Sequence, residues 1–576
     1  MARDSFLHKF TLLLAVIMVV GGLALGGWTL AQLPGLLDLE TPPVSAAVAQ
    51  PPPLRQTQTL VATPASVASA AIPDSALVVG VEPGLPAALT LALADALHTH
   101  TDVFTATVAA PQSDVVLTWD ETNAEPVYYT FFAAATRLDT IDLTLRATHI
   151  RRAWLGQSAS FSEIAVLEES LPALTHLLGE PGDVVHSYAS MTELIQAVWQ
   201  GRDILTLVPF DQLTPSLAVY NVDGQTPVEN GAKFNPTGYP LIATVYGRPA
   251  PGHTQDLARL QDMIPSSNRN PDQLTVVAMT GVTAMVRLTA EQMDERGDDW
   301  PAQVVGPELA AADITAVSNE VPFVADCETD TDLDNLVFCS KPGYLATLLA
   351  SGADIIGLTG NHLNDYGLAD GLASLEIYDK AGLLVYGGGR NKDDSMSPLY
   401  IEHNGNGLAF LGANTYGPPS AWATEYSPGS APFDLAIMSA TIRNIKEQHM
   451  ADVVFAELQY QESYDVTPLA DQRLDFGALA RAGADVVTGV QSHVPQAAEF
   501  VDGHLVLYGL GNLYFDQMWT EETREGLIVK HTIYQGRHIS TQFLPTLLFD
   551  YGQPRWPDAQ RRAAILAKVF AAGNWE

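Results

Sequence analysis

Between Leu274 and Tyr508 short apolar runs alternate with amphipathic helical patterns, and this alternation restricts the fold more than any other feature of the chain. The runs are Leu274–Met279, Asp313–Val317, Ala353–Leu358, Leu383–Tyr386, Leu408–Leu411, Asp452–Ala456, Asp485–Thr488 and Leu505–Tyr508. Helical patterns lie between several of them, at Tyr344–Ala350, Leu368–Lys380, Leu435–Gln448 and Leu469–Arg481. Glycines 352, 382 and 483 stand where helix C-caps belong. Strands that alternate with helices build α/β layers. Further on, Gly526–Tyr534 and Arg537–Leu544 flank Gln535-Gly536 and read as a hairpin, and Ala559–Ala571 reads as a last helix packed on the outside. Parallel units that end in antiparallel strands predict two sheets wrapped by helices.

The polar residues of this region fall at or just past strand ends, where ligand sites of α/β sheets collect. Ser318-Asn-Glu-Val-Pro322 follows one strand, and Thr359-Gly-Asn-His-Leu-Asn-Asp-Tyr-Gly367 follows the next. Glu457-Leu-Gln-Tyr-Gln-Glu-Ser-Tyr464, Gly489-Val-Gln-Ser-His493 and Gly509-Leu-Gly-Asn512 with Phe515-Asp516 complete the set. An Asn-His pair on a strand-to-helix loop can set a metal-binding amide oxygen beside a proton donor; a polar loop with a satisfied histidine has the same sequence.

Order and spacing of these blocks resemble the CapA family of capsule and poly-γ-glutamate synthesis proteins, over residues 273–520. Gly360-Asn-His-Leu-Asn-Asp-Tyr-Gly367, Gly387-Gly-Gly-Arg-Asn391, Gly489-Val-Gln-Ser-His-Val494 and Leu510-Gly-Asn-Leu513 carry the resemblance, with Ser318–Pro322 and Gln459–Tyr464. It implies a metallophosphatase-like α/β/β/α sandwich. It also implies a divalent metal (Mn, Zn or Mg) on Glu320, Asn361 and His493, and His362 as an acid oriented by Asp365. Asn512, Gln459, Gln491, Glu462 and Arg390 would line the cleft. Three positions depart from the family pattern. Val282 stands where the family has Asp, and Gln459 and Gln491 stand where it has His. A neutral carbonyl replaces imidazole poorly on a transition metal, so a two-metal site is in doubt. A metal-dependent hydrolase or transferase and a degraded, polymer-gripping protein both remain open. The partners implied are an anionic surface polymer and its synthesis or export machinery.

The remainder of the 576-residue chain divides by composition. Residues 10–33 carry no charge, long enough to span a bilayer. Arg3 and Lys9 precede this run and no Lys or Arg follows before Arg55, which puts the N-terminus in the cytoplasm and the bulk outside. Its length favours an uncleaved single-pass membrane anchor over a signal peptide. A Pro/Ala-rich stalk is expected at 34–75 and an α/β domain at 76–250, where Ser190-Met-Thr-Glu193 fits a capping box. Leu205–Asp211 and Tyr239–Val245 resemble periplasmic solute-binding domains; a ligand cleft and an inert spacer both fit. Residues 251–272 read as a Pro/Ser linker, 273–550 as the CapA-like domain and 551–576 as a C-terminal helix.

A net charge of −37, from 29 basic and 66 acidic residues, excludes a nucleic-acid partner, which needs a basic surface. Cys327 and Cys339 flank the acidic loop 326–334, and outside the cytoplasm they are expected to form a disulfide. That loop lacks the central Gly and closing Glu of an EF-hand. Gly387-Gly-Gly-Arg390 can cradle an anion or form a plain turn, and Trp422 and Tyr426 sit on a long loop that can line a cleft.

Overall fold

The computed structural model describes residues 77–99, 104–108 and 112–575, all within one compact unit. The expected membrane span and stalk lie outside the described residues. Among the described residues, no helix is long and apolar enough to cross a membrane.

The chain is a mixed α/β protein. Its first sheet runs in the order Phe104–Val108, Leu77–Val81, Val115–Thr118, Ile242–Pro249, Glu125–Arg137, Ile204–Pro209, Glu163–Leu167, Val185–Tyr188. The long Glu125–Arg137 strand serves two separate cores. Val127 and Tyr128 pack with Leu77, Leu89, Leu117 and Val245, whereas Phe131 to Ala135 pack with Trp154, Val166, Leu174 and Leu207. One strand therefore joins two lobes. Ser190 caps its helix as its sequence predicts, accepting a hydrogen bond from the Glu193 amide at 3.3 Å while Glu193 reaches back to the Ala189 amide at 3.2 Å.

Beyond Leu274 two sheets stack face to face. The first has the order Leu384–Tyr386, Ile355–Gly357, Ile314–Asn319, Leu274–Thr283, Glu525–Tyr534, Arg537–Phe549, Gln553–Arg555, with Asn512–Tyr514 also paired to Leu274–Thr283. The second has the order Leu399–His403, Asn406–Asn414, Val453–Gln459, Val486–Val490, His504–Leu507, Ala498–Val501. Val277, Met279, Phe410, Phe455 and Val529 fill the space between the sheets. Helices Arg287–Arg296, Leu345–Ala350 and Leu368–Ala381 cover one outer face through Met293, Leu348 and Tyr378. Helices Leu435–Glu447 and Ala470–Arg481 cover the other through Ile442, Ile445, Phe476 and Leu479. Strands enclosed on both sides are apolar without alternation, which is why Leu274–Thr283, Ile314–Asn319 and Val453–Gln459 are buried at every residue.

Three features differ from the sequence reading. The 251–272 stretch is not an open linker. It contains the helix Thr254–Met263, and its buried Arg269 donates to the carbonyls of Pro227 and Glu229. Asn268 and Tyr534 bond across the same junction, and Lys530, fully buried, reaches Glu229 at 2.5 Å and Glu308 at 3.1 Å. The last helix, Ala559–Ala571, does more than lie outside, since Ile565, Leu566, Val569 and Phe570 join the core between the sheets. Finally, the Leu274 strand runs on to Thr283 because Gly281 lets Gly511 pass; a Cβ there would overlap the Gly511 carbonyl. Cys327 and Cys339 form a disulfide.

Candidate functional site

The expected polar residues meet where both sheets end at the same edge. Glu320 leaves the strand Ile314–Asn319 with its amide bonded to the Thr283 carbonyl at 3.1 Å. It packs against Gly360, where any side chain would overlap it. Its carboxyl is 3% exposed and Oε2 has no hydrogen-bond partner. Burial, opposed by nearby His362 and reinforced by Asp365 and Glu462, pushes the Glu320 carboxyl up to about 7.

On the neighbouring loop His362 Nδ1 lies 2.6 Å from Asp365 Oδ2, which also accepts the Phe338 amide at 2.8 Å. The His362 ring packs on Phe338 at 4.4 Å. Burial pulls the imidazole down, but the Asp365 hydrogen bond and the Glu320 and Asp365 charges outweigh it, and the net shift is upward. Asn361 Oδ1 accepts from Gln459 Nε2 at 2.9 Å. The other Gln459 atom, Oε1, is buried without a partner, as is Gln491 Oε1.

His493 is 2% exposed, with Nδ1 2.9 Å from Asn512 Oδ1. Asn512 in turn donates to the Thr523 carbonyl at 3.1 Å and to the His493 carbonyl at 3.4 Å, so its oxygen faces the ring and Nδ1 carries the proton. Burial drives the imidazole down to about 4, leaving it neutral with Nε2 as an acceptor, 3.8 Å from Glu462. Tyr464 stacks on this ring at 5.6 Å, and its hydroxyl donates to Glu462. Thus Glu320, Asn361, His362, Asp365, Gln459, Glu462, Gln491, His493 and Asn512 gather at one sheet edge. Arg390 does not join them; it pairs with Asp379 and its amide donates to Asp394 at 2.8 Å, so the glycine turn cradles no anion through that group. Trp422 braces the loop by donating to Asn414 Oδ1 at 2.9 Å, and Tyr426 stands 87% exposed.

Two contributors escaped the sequence reading. Arg287, at φ +48°, forms a buried two-point pair with Asp516, at 2.5 and 3.1 Å. Its guanidinium lies over Phe338 and Phe515, the rings that pack on His362 and His493. No motif marks Arg287, whose partner is 229 residues away. The second is a small apolar cluster of Val282, Ala284, Val286, Val321, Phe338, Val490 and Phe515. Val282 therefore sits among hydrocarbon where the resembled family would place a carboxylate.

Residues 276–517 match the family described as bacterial capsule synthesis protein PGA_cap. This segment is a PGA_cap domain. Similar proteins are the capsule biosynthesis protein CapA of Bacillus anthracis, 27% identical over 277 residues (47% of this chain, 67% of that one). The PGA biosynthesis protein CapA of Bacillus subtilis is 27% identical over 261 residues (45% and 68%). A solved structure of a hypothetical protein from Thermus thermophilus covers 47% of this chain and 98% of its own at 12% identity, with a TM-score of 0.30, a level that carries no argument.

A resident pair of divalent metals does not fit the PGA_cap site of this chain. Among the described residues, no group of three or more His, Cys, Asp or Glu is arranged to hold a metal ion. The Asn361 amide oxygen is engaged by Gln459, and Val282 supplies no donor. What remains are buried acceptor oxygens on Glu320, Gln459 and Gln491, a neutral His493 and an acid-capable His362–Asp365 pair.

Proposed function

We propose that this chain is a membrane-anchored accessory protein of capsule or polyglutamate-type polymer synthesis and export, and that its PGA_cap domain holds the polymer rather than cleaving it with a metal. The domain would be a metallophosphatase-like sandwich whose metal chemistry has been lost. The observation that carries this reading is the trio of buried, unpartnered acceptors, Glu320 Oε2, Gln459 Oε1 and Gln491 Oε1. Buried acceptors without donors cost about 1–3 kcal/mol each, and a polymer bearing amide N–H or hydroxyl groups would satisfy them. The names of the two Bacillus relatives, which refer to capsule and PGA biosynthesis, support the polymer class.

Charge shapes how such a polymer would be held. A chain at −37 repels a polyanion, so binding would rest on short-range hydrogen bonds and would strengthen as salt screens the repulsion. The test uses the full purified chain with poly-γ-glutamate. Expected are binding that tightens between low and physiological salt, an unchanged polymer length, and no effect of EDTA. Stoichiometric Mn, Zn or Mg by elemental analysis, with cleavage lost in His362→Ala, would establish the hydrolase instead. The same three oxygens would also suit one hard cation, and elemental analysis separates that case.

A further inference from the structure

A second cleft lies outside the PGA_cap domain, where the two lobes of the first sheet meet. Thr130 sits on the Glu125–Arg137 strand between the residues that serve one core and those that serve the other. It is 3% exposed, and its hydroxyl has no partner. It lines a cavity together with Ala87 and Ala88 from one lobe and Glu169, Ser170 and Asp211 from the other.

The start of a helix faces this cavity from each lobe. Ala87–Thr99 begins at Ala87, and Leu171–Leu178 begins after Ser170, with Gly84 packed against Pro172 so that the two starts adjoin. Neither helix has an acidic residue in its own first turn. Their leading N–H groups have no acceptor within the helix and carry partial positive charge. Opposite charge stands beside them. Asp211 receives Asn268 Nδ2 at 2.8 Å on one oxygen, and Glu169 is held by Gln212 at 2.7 Å at the rim.

A dianion would meet the helix starts favourably but would be repelled by both carboxylates. A simple cation would meet the reverse. A ligand carrying both charges close together satisfies each. We infer that this cleft binds a zwitterionic α-amino acid, its carboxylate on the helix N–H groups and the Thr130 hydroxyl, its ammonium on Asp211 and Glu169. The site is independent of the polymer-holding edge and stands or falls separately from it.

Calorimetric titration of the full chain with glycine, L-alanine, L-glutamate, N-acetyl-L-glutamate and inorganic phosphate tests it. At least one free amino acid binds, while phosphate and the N-acetylated compound, which lacks the ammonium, do not. Thr130→Val weakens binding about tenfold, the worth of one hydrogen bond to a charged group, and leaves the unliganded melting temperature unchanged or slightly higher. Asp211→Asn weakens it further. Binding of phosphate in place of amino acids, binding of none of the compounds, equal binding of the N-acetylated compound, or full affinity in Thr130→Val each overturns the assignment. The comparison of free and N-acetylated glutamate needs no variant, so a misfolded variant does not shield it.

Discussion

Replacing Glu320 by Gln tests the account of the PGA_cap site most directly. Glu320 is 3% exposed, packed on Gly360, and its carboxyl is raised from 4.5 to about 7, chiefly by burial. Below pH 4.5 the carboxyl is protonated in both folded and unfolded chains and contributes nothing to pH dependence. Between pH 4.5 and 7 the unfolded chain releases a proton that the folded chain keeps, so stability falls as pH rises. At about 1.4 kcal/mol per pH unit, the interval is worth about 3 kcal/mol. Above pH 7 the loss is complete and constant. Gln keeps the shape and removes the titration. Urea denaturation of wild type and Glu320→Gln at pH 5 and pH 8 should show the variant gaining about 2–3 kcal/mol on the wild type between the two conditions. Equal pH dependence in the two proteins would refute the reasoning. A variant that loses ground at pH 8 would mean that a resident cation holds the carboxylate ionised, and elemental analysis of the same samples would find it.

Other outcomes follow from the same structure. His538 is buried and held down to about 4; its contribution is present above pH 6.5 and lost as pH falls, so the wild type should lose about 2 kcal/mol between pH 7 and 5 that His538→Gln keeps, read by urea denaturation. Asp516→Ala strands the buried Arg287 and should cost about 3–5 kcal/mol, with a matching drop in the melting temperature. Opening the Cys327–Cys339 bridge, which spans 12 residues, by Cys→Ser at both positions should cost about 3 kcal/mol in denaturation.

Local pattern carried much of the fold. Glycines 352, 382 and 483 take positive φ where a left-handed C-cap was expected, and Ala559–Ala571 is helical over the residues named from sequence. The hairpin turns at Gln535-Gly536, both at positive φ. Each depends on neighbours within a few residues. The 251–272 stretch misled because Pro and Ser also start helices and fill junctions; only Tyr534 and the Pro227 and Glu229 carbonyls, distant in sequence, make its Asn268 and Arg269 buried. Arg390 misled in the other direction, since a glycine turn beside an arginine says nothing about Asp379 waiting on the next helix.

By itself, the sequence determined the alternation of strands and helices, the polar turns at strand ends and the three substitutions that unsettle a metal pair. Periodicity and turn chemistry are short-range, so they survive in one dimension. The tertiary structure decided what those residues meet. Gln459 donates to Asn361 across 98 positions, Arg287 closes on Asp516 across 229, and Val282 falls into an apolar cluster drawn from distant loops. Such pairings depend on how the two sheets stack, and stacking is set by the packing of whole faces rather than by any local run of residues.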